Sequence, residues 1–347
     1  MLSAQFQQQI SDLKIRIEDA LQQTLQLQSW PAALKTAVEY SLLAGGKRLR
    51  PGLVLLATDV CDGSVEAALP AACSIEMIHT YSLIHDDLPC MDDDDLRRGR
   101  PTSHKVFGEA LATLAGDALL TLAFENLATA QLSAEQTADC LKVLATAAGG
   151  SGMVGGQILD LEAERGPFTE RGPFVPENTT KNSDGPAESA RKSGSMPSST
   201  ADSQSGFADQ SAKQTSSDAN LRVEHLIQIH KMKTGALITA ALELGAAVAG
   251  ASIDHRRRLI EYGRCTGLAF QIADDVLDVT GSDVRLGKQT GRDDKLGKLT
   301  YPSLIGLEAS RQKAQSLVAQ ACASLDVFDE RADSLRELAR FIVERDH

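Results

Sequence analysis

The sequence predicts an all-α protein, a helical bundle around a central cavity, and three observations carry that prediction. Apolar residues recur mostly at helical spacing from Phe6 to Glu164 and again from Leu221 to the end. Aromatic residues make up only 4% of the 347 residues while Ala, Leu and Gln abound, a composition suited to helices rather than a sandwich or barrel. Strand-like alternation is nearly absent, and no Asn-Gly or Asp-Gly turn lies between apolar segments. About ten helices joined by short loops account for the ordered part.

Taken in order, the first helix shows in Leu13, Ile17, Leu21 and Leu25, one turn apart. A helix arriving from Ile75 places His79 and Asp86 on one face, since seven residues are nearly two turns. Pro89 ends it by disfavouring helical geometry at Leu88. LATLAGDALLTLAF and ALITAALELGAAVAG are apolar but broken by Asp117 and Glu243, and read as buried helices too short to span a bilayer. The stretch LAFQIADDVLDVTG forms another helix, and Leu335, Leu338, Phe341 and Ile342 the last. Residues 166–220 stand apart. They hold five of the eleven prolines, and Val175 is their only branched aliphatic residue. Such a stretch buries too little apolar surface to offset its ordering entropy and is expected to be a disordered insertion.

The net charge of -12 makes the chain a poor general partner for nucleic acid or an anionic membrane. The six cysteines form no CxxC pair, which argues against a zinc knuckle or disulfide framework and suits a reducing compartment. No apolar run of signal-peptide type opens the chain, and a cytoplasmic location is expected.

Two acidic clusters carry the chemistry. The first, HDDLPCMDDDDLRRGRPT, holds Asp86, Asp87, Asp92, Asp93, Asp94 and Asp95. Asp86 and Asp87 follow the apolar YSLI, where ionised groups are costly unless paired or metal-bound. A bend at Pro89 would turn Asp86 and Asp92 toward one site. In the second, Gln271, Asp274, Asp275 and Asp278 fall at i, i+3, i+4 and i+7. Three carboxylates on one stripe with no Lys or Arg between them call for a cation, and oxygen donors without His or Cys suit Mg2+ first. Basic residues cluster nearby: Lys47, Arg48 and Arg50; Arg97 and Arg98; Lys231 and Lys233; Lys288 and Lys298. In an acidic chain this points to a polyanion such as a diphosphate, held jointly by Mg2+ and Arg/Lys. Two other patterns are weaker. GSGMVG at 150–155 has the GxGxxG spacing but follows a helical run, so close helix packing explains it better than a dinucleotide site. His85-Asp86 would suit an HD-type phosphohydrolase, which needs further His ligands and leaves the stripe at Asp274 unexplained.

These residues resemble the trans-isoprenyl diphosphate synthases, most closely the bacterial farnesyl diphosphate synthases. The resemblance runs from GGKRLRP through the first Asp motif, GMVGGQILDLEAE, IHKMKTGALI and FQIADDVLD to LGKLTYP. It implies an isoprenoid-synthase-like bundle forming one polyprenyl synthetase domain over 1–347, interrupted by the insertion, with the two motifs facing each other across a deep cavity. Asp86, Asp92 and Asp274 match the main Mg2+ ligands, supported by Asp87, Asp275 and Asp278, with about three Mg2+ per site and Mn2+ as a substitute. Lys47, Arg50, His79 and Arg98 match the isopentenyl diphosphate site. Arg97, Lys233, Thr234, Gln271, Lys288 and Lys298 match the allylic diphosphate site. Asp86, Asp92, Arg97, Lys233 and Asp274 would carry catalysis. Tyr81, five residues before Asp86, and Ser82 match the positions that limit product length.

The resemblance further implies a homodimeric prenyltransferase that condenses isopentenyl diphosphate with dimethylallyl and then geranyl diphosphate to give farnesyl diphosphate. The alternatives are a geranylgeranyl or geranyl diphosphate synthase, the HD-type phosphohydrolase, and a non-catalytic synthase subunit, whose Asp motifs should be eroded. Leu299 stands where a serine is common and Cys90 where alanine is common; neither removes a ligand.

Overall fold

In a computed structural model, residues 3–164, 221–280 and 299–344 are described. The insertion expected at 166–220 lies outside them, as do Lys288 and Lys298. Helices dominate: α1 Ala4–Gln26, α2 Ala32–Leu42, α3 Leu49–Val60, α4 Val65–Asp86, α5 Ser103–Phe107, α6 Glu109–Ala128, α7 Ala134–Ala148 and α8 Met153–Glu164. They continue with α9 (221–230), a π-helical turn Lys231–Gly235, α10 Ala236–Val248, α11 Ile253–Thr280, α12 Tyr301–Ile305, α13 Leu307–Ser324 and α14 Asp333–Glu344. The described residues exceed the expected ten helices because short ones such as α5 and α12 carry too few residues to show a period.

The centre of the bundle is α10, on which α3, α4, α7 and α11 pack. Ten of its thirteen residues are buried, from Leu237 to Val248, as an all-round apolar helix requires. Helix α4 lies between α3 and α6 and is tied to α6 by Asn126, whose Nδ2 donates to the Pro70 carbonyl at 2.8 Å. That contact sits at the helix-interior proline. By length and composition α6 could cross a membrane, contrary to the shortness expected of it. Here Ala112, Ala115, Leu119, Leu122 and Leu127 of α6 are buried, and it packs against α4. Helix α14 joins α11 through the Tyr262 hydroxyl, which donates to the Leu335 carbonyl at 2.7 Å.

Two short strands, β1 Leu96–Arg97 and β2 Arg100–Pro101, pair antiparallel with Arg97 opposite Arg100. Arg98 and Gly99 make the turn, both with positive φ, 54° and 74°. Two-residue hairpin turns of this hand are where Gly, Asn and Asp are favoured. An Arg-Gly turn between polar strands gave no apolar pattern to flag it.

Candidate active site

Helix α4 stops at Asp86, two residues after the last of its buried residues, Ile84, and the chain doubles back. The Asp92 amide donates to the Asp86 carbonyl at 2.9 Å, so the bend expected at Pro89 does bring these two aspartates together. Asp93, at φ 49°, completes the reversal. Burial pushes the Asp86 carboxyl up to about 6; Lys233 and Arg97 oppose the shift, while Asp92 and Asp87 add to it. Asp87 is buried, and its two oxygens accept from Arg97 Nε at 2.7 and 2.9 Å. The hairpin delivers that guanidinium. Arg98, in the turn, points the other way and donates to the Gly45 carbonyl.

The basic residues separate into two kinds. Arg48 faces the core, with Nε 2.7 Å from Glu18, Nη1 2.6 Å from Glu76, and Nη2 2.7 Å from the Leu42 carbonyl. It is a structural residue, which its place in GGKRLRP does not reveal. Arg50 is the opposite case: its buried Nε has no partner. His79 is held well below its ordinary range, by burial first and then by Arg50, Arg98, Arg97 and Arg48. A neutral ring amid guanidiniums, one of them short of an acceptor, is an anion-binding arrangement. Lys47 lines an apolar cavity of about 300 Å³ together with Phe6, Leu53, Tyr262, Phe270 and Phe341.

On the other wall, the π turn adds a residue to the helix that carries Lys233, a distortion frequent at functional sites. Lys233 Nζ pairs with Asp160 of α8. The approach is close because Gly156 faces that turn: a Cβ there would lie 2.2 Å from the Lys233 nitrogen. Of the GxGxxG glycines, Gly155 packs as expected, a Cβ there lying 2.8 Å from Met232 Cε, while one on Gly150 would meet nothing within 4 Å. The Thr234 hydroxyl donates to Gln271 Oε1 at 3.1 Å, and Asp275 accepts from the Tyr301 amide at 2.9 Å. Asp160, Lys233, Gln271, Asp275, His230 and Thr300 line one cleft of about 170 Å³. Asp274 and Asp278 lie on the same part of α11, half-buried. Nothing in QILDLEAE marks Asp160 as a site residue, because its Lys233 partner is 73 residues away.

His85 turns away from the acidic cluster. Its Nε2 lies 3.0 Å from the Thr113 carbonyl, and its ring packs where a Cβ on Gly116 would stand, 2.1 Å away. That placement removes the ligand an HD-type phosphohydrolase requires.

Among the described residues no three His, Cys, Asp or Glu side chains gather to hold a metal by themselves. The donor set still fits Mg2+. It offers oxygen alone, and Asp86 is a half-buried carboxyl beside two others, whose anionic form calls for a cation. Mg2+ is ordinarily held by one or two carboxylates, with water and substrate phosphate completing its shell.

An all-α bundle with two aspartate-bearing helix ends and guanidiniums poised for an anion defines a class of diphosphate-handling, metal-assisted transferase. The model of the polyprenyl synthetase family matches residues 31–173 and 197–335, and the chain belongs to that family. Its members use Mg2+ in general. It is 42% identical to geranylgeranyl pyrophosphate synthase 7, chloroplastic, of Arabidopsis thaliana over 95% of this chain and 81% of that one. It is 39% identical to a dimethylallyltranstransferase of Fischerella ambigua over 96% and 81%. The crystal structure of an FPP/GFPP synthase from Zymomonas mobilis superposes with a TM-score of 0.73 at 36% identity, covering 98% and 99% of the two chains. The protein is a prenyltransferase of isoprenoid synthesis.

Proposed function

We propose that the protein elongates allylic diphosphates with isopentenyl diphosphate, and the observation that carries this is the pairing of Arg97 with Asp87 and of Lys233 with Asp160 beside Asp86. Each cation stands on a carboxylate it can exchange for diphosphate oxygens. Asp86, Asp92 and Asp274 would hold Mg2+, which would supply Lewis-acid neutralisation of the leaving group. Arg97 and Lys233 orient the allylic diphosphate and neutralise charge as the C–O bond ionises. Thr234 and Gln271, already bonded to each other, line its seat. Arg50, Arg98, Lys47 and the neutral His79 hold isopentenyl diphosphate, whose double bond attacks the cation. Water must be excluded, since it would trap the cation as an alcohol. The proton lost goes to the departing diphosphate. Asp87, Asp275 and Asp278 support the metal-bearing residues.

Two product lengths compete. The relatives' names favour geranylgeranyl diphosphate, twenty carbons, and they are the broader support. One structural observation favours farnesyl diphosphate, fifteen carbons. Tyr81 is 7% exposed, and its ring stands edge-on to His85 at 5.7 Å and 74°. With His85 seated on Gly116, Tyr81 has a firm backing about 7–8 Å along α4 from Asp86. Incubation with dimethylallyl and isopentenyl diphosphates plus Mg2+, followed by chromatography of the dephosphorylated products, tests both readings. Prenyl product with diphosphate release supports elongation, and its absence sinks it. A fifteen-carbon product that lengthens in Tyr81→Ala supports Tyr81 as the floor; a twenty-carbon product from the unaltered enzyme removes it. The homodimer and the cytoplasmic location belong to the same reading. The exposed Leu114 of α6 and the free cysteines are in keeping with them, and sedimentation tests the first.

A further inference from the structure

The hairpin that carries Arg97 and Arg98 is exposed, and two strands of two residues each cannot fix their own position. Its attachments are few. At its base, the Thr102 amide donates to the Asp95 carbonyl at 3.0 Å and the Thr102 hydroxyl to the Asp94 carbonyl at 2.8 Å. On the inner side, Arg97 grips Asp87 and Arg98 reaches the Gly45 carbonyl. Lys105 of α5 pairs with Asp95 at 2.7 Å, and from α2 the support is Tyr40. Its hydroxyl donates to the Pro101 carbonyl at 2.7 Å, and its ring lies 4.3 Å from the guanidinium carbon of Arg100. Phe107 of α5 holds that ring edge-on, at 5.3 Å and 83°. Tyr40 therefore grips both residues of β2.

The ladder passes the grip on. Arg100 is the register partner of Arg97, and Pro101 that of Leu96. A pocket of about 50 Å³ lies beside the hairpin, lined by Tyr40, Ala44, Asp87, Arg97 and Arg98 among others, so β2 has room to shift once Tyr40 lets go. Arg97 and Arg98 are successive residues aimed at different partners. A shift of β2 must move both.

We infer that Tyr40 is a positioning residue that sets Arg97 and Arg98 together, so that loosening this one side chain weakens the allylic and the isopentenyl diphosphate sites at once. The inference rests on the function proposed above. Its test is steady-state kinetics of Tyr40→Ala and Tyr40→Phe with dimethylallyl and isopentenyl diphosphates, alongside thermal melting. Misplacing two binding groups by about 1 Å should raise both KM values about tenfold in Tyr40→Ala. Tyr40→Phe keeps the ring beneath Arg100 and should raise both by about threefold or less. A merely structural Tyr40 would lower the melting temperature and the active fraction, leaving both KM values in place. Two unchanged KM values in a folded Tyr40→Ala, or a rise in only one, overturn the inference. Should Tyr40→Ala fail to fold, Arg100→Gln removes the ring contact alone, from its solvent side, and must raise both KM values by a smaller factor. An unaltered enzyme that transfers no prenyl group overturns the proposed function instead. Calorimetry with inorganic diphosphate then decides for the hairpin: weaker binding in Tyr40→Ala supports its positioning, and equal binding ends it.

Discussion

The end of α4 and the last turns of α11 both present a cluster of aspartates, and their surroundings treat them in opposite ways. On α4, Asp87 is buried and clasped by a guanidinium, while Asp86 is half-buried beside Lys233 and two further carboxylates. On α11, the contacts of Gln271 and Asp275 are with neutral donors, the Thr234 hydroxyl and the Tyr301 amide. Arg97 meets the charge of Asp87 on the first wall, whereas on the second Asp275 accepts from a backbone amide. The density of carboxylates in a sequence therefore does not say how much cation a site still demands. The partners do.

The comparison is tested most severely by removing one aspartate from each wall. Asp86→Ala and Asp274→Ala should each lower kcat on the order of 10³-fold with the melting temperature kept, because each carboxylate would share an ion needed for ionisation. Near-normal turnover in one of them would show that the other wall holds the ion alone. A smaller effect should separate the partnered aspartates. Asp87→Asn loses its charge-assisted bonds to Arg97 and should cost about 2–3 kcal/mol of stability without Mg2+. Asp275→Asn keeps an oxygen for the Tyr301 amide and should cost under about 1 kcal/mol. Equal losses in urea titrations would mean that the two walls do not differ as described.

The last expectation concerns the wall that carries Lys233. His230 is buried behind the Lys233–Asp160 pair, 5.7 Å from the Tyr301 ring, with an unpartnered Nδ1. Burial pulls it down to about 4. The unfolded chain takes up a proton below its ordinary 6.5 that the folded chain refuses, so stability is lost as pH falls from about 6.5 toward 4. From pH 7 to 5 the loss due to His230 should be about 2 kcal/mol. His79, also held low, acts in the same direction, so His230→Phe should flatten the profile only in part. A profile unchanged in His230→Phe would show that this wall is wetter than its packing indicates.

Much of this was legible before any coordinates. The helix ending near Pro89 and the stripe at Gln271, Asp274, Asp275 and Asp278 follow from period and local chemistry, which neighbours in sequence determine. Close packing at Gly155 followed from the helical run before it. Residue chemistry alone groups Arg48 with Arg50, which only the family resemblance separates, and does not show that Asp160 answers Lys233. It also gave Tyr40 no role. Those facts depend on which side a residue faces after helices far apart in sequence have packed.

By itself, then, the sequence determined the helical class, the two acidic faces and the oxygen-only donor set, because periodicity and residue chemistry are local. Only the tertiary structure decided which charges are already balanced. The Arg48–Glu76 contact spans 28 residues, Asp275–Tyr301 26 and Lys233–Asp160 73. No local propensity encodes such pairings; they arise when burial leaves each polar group to find a partner within reach or remain unsatisfied at a cost.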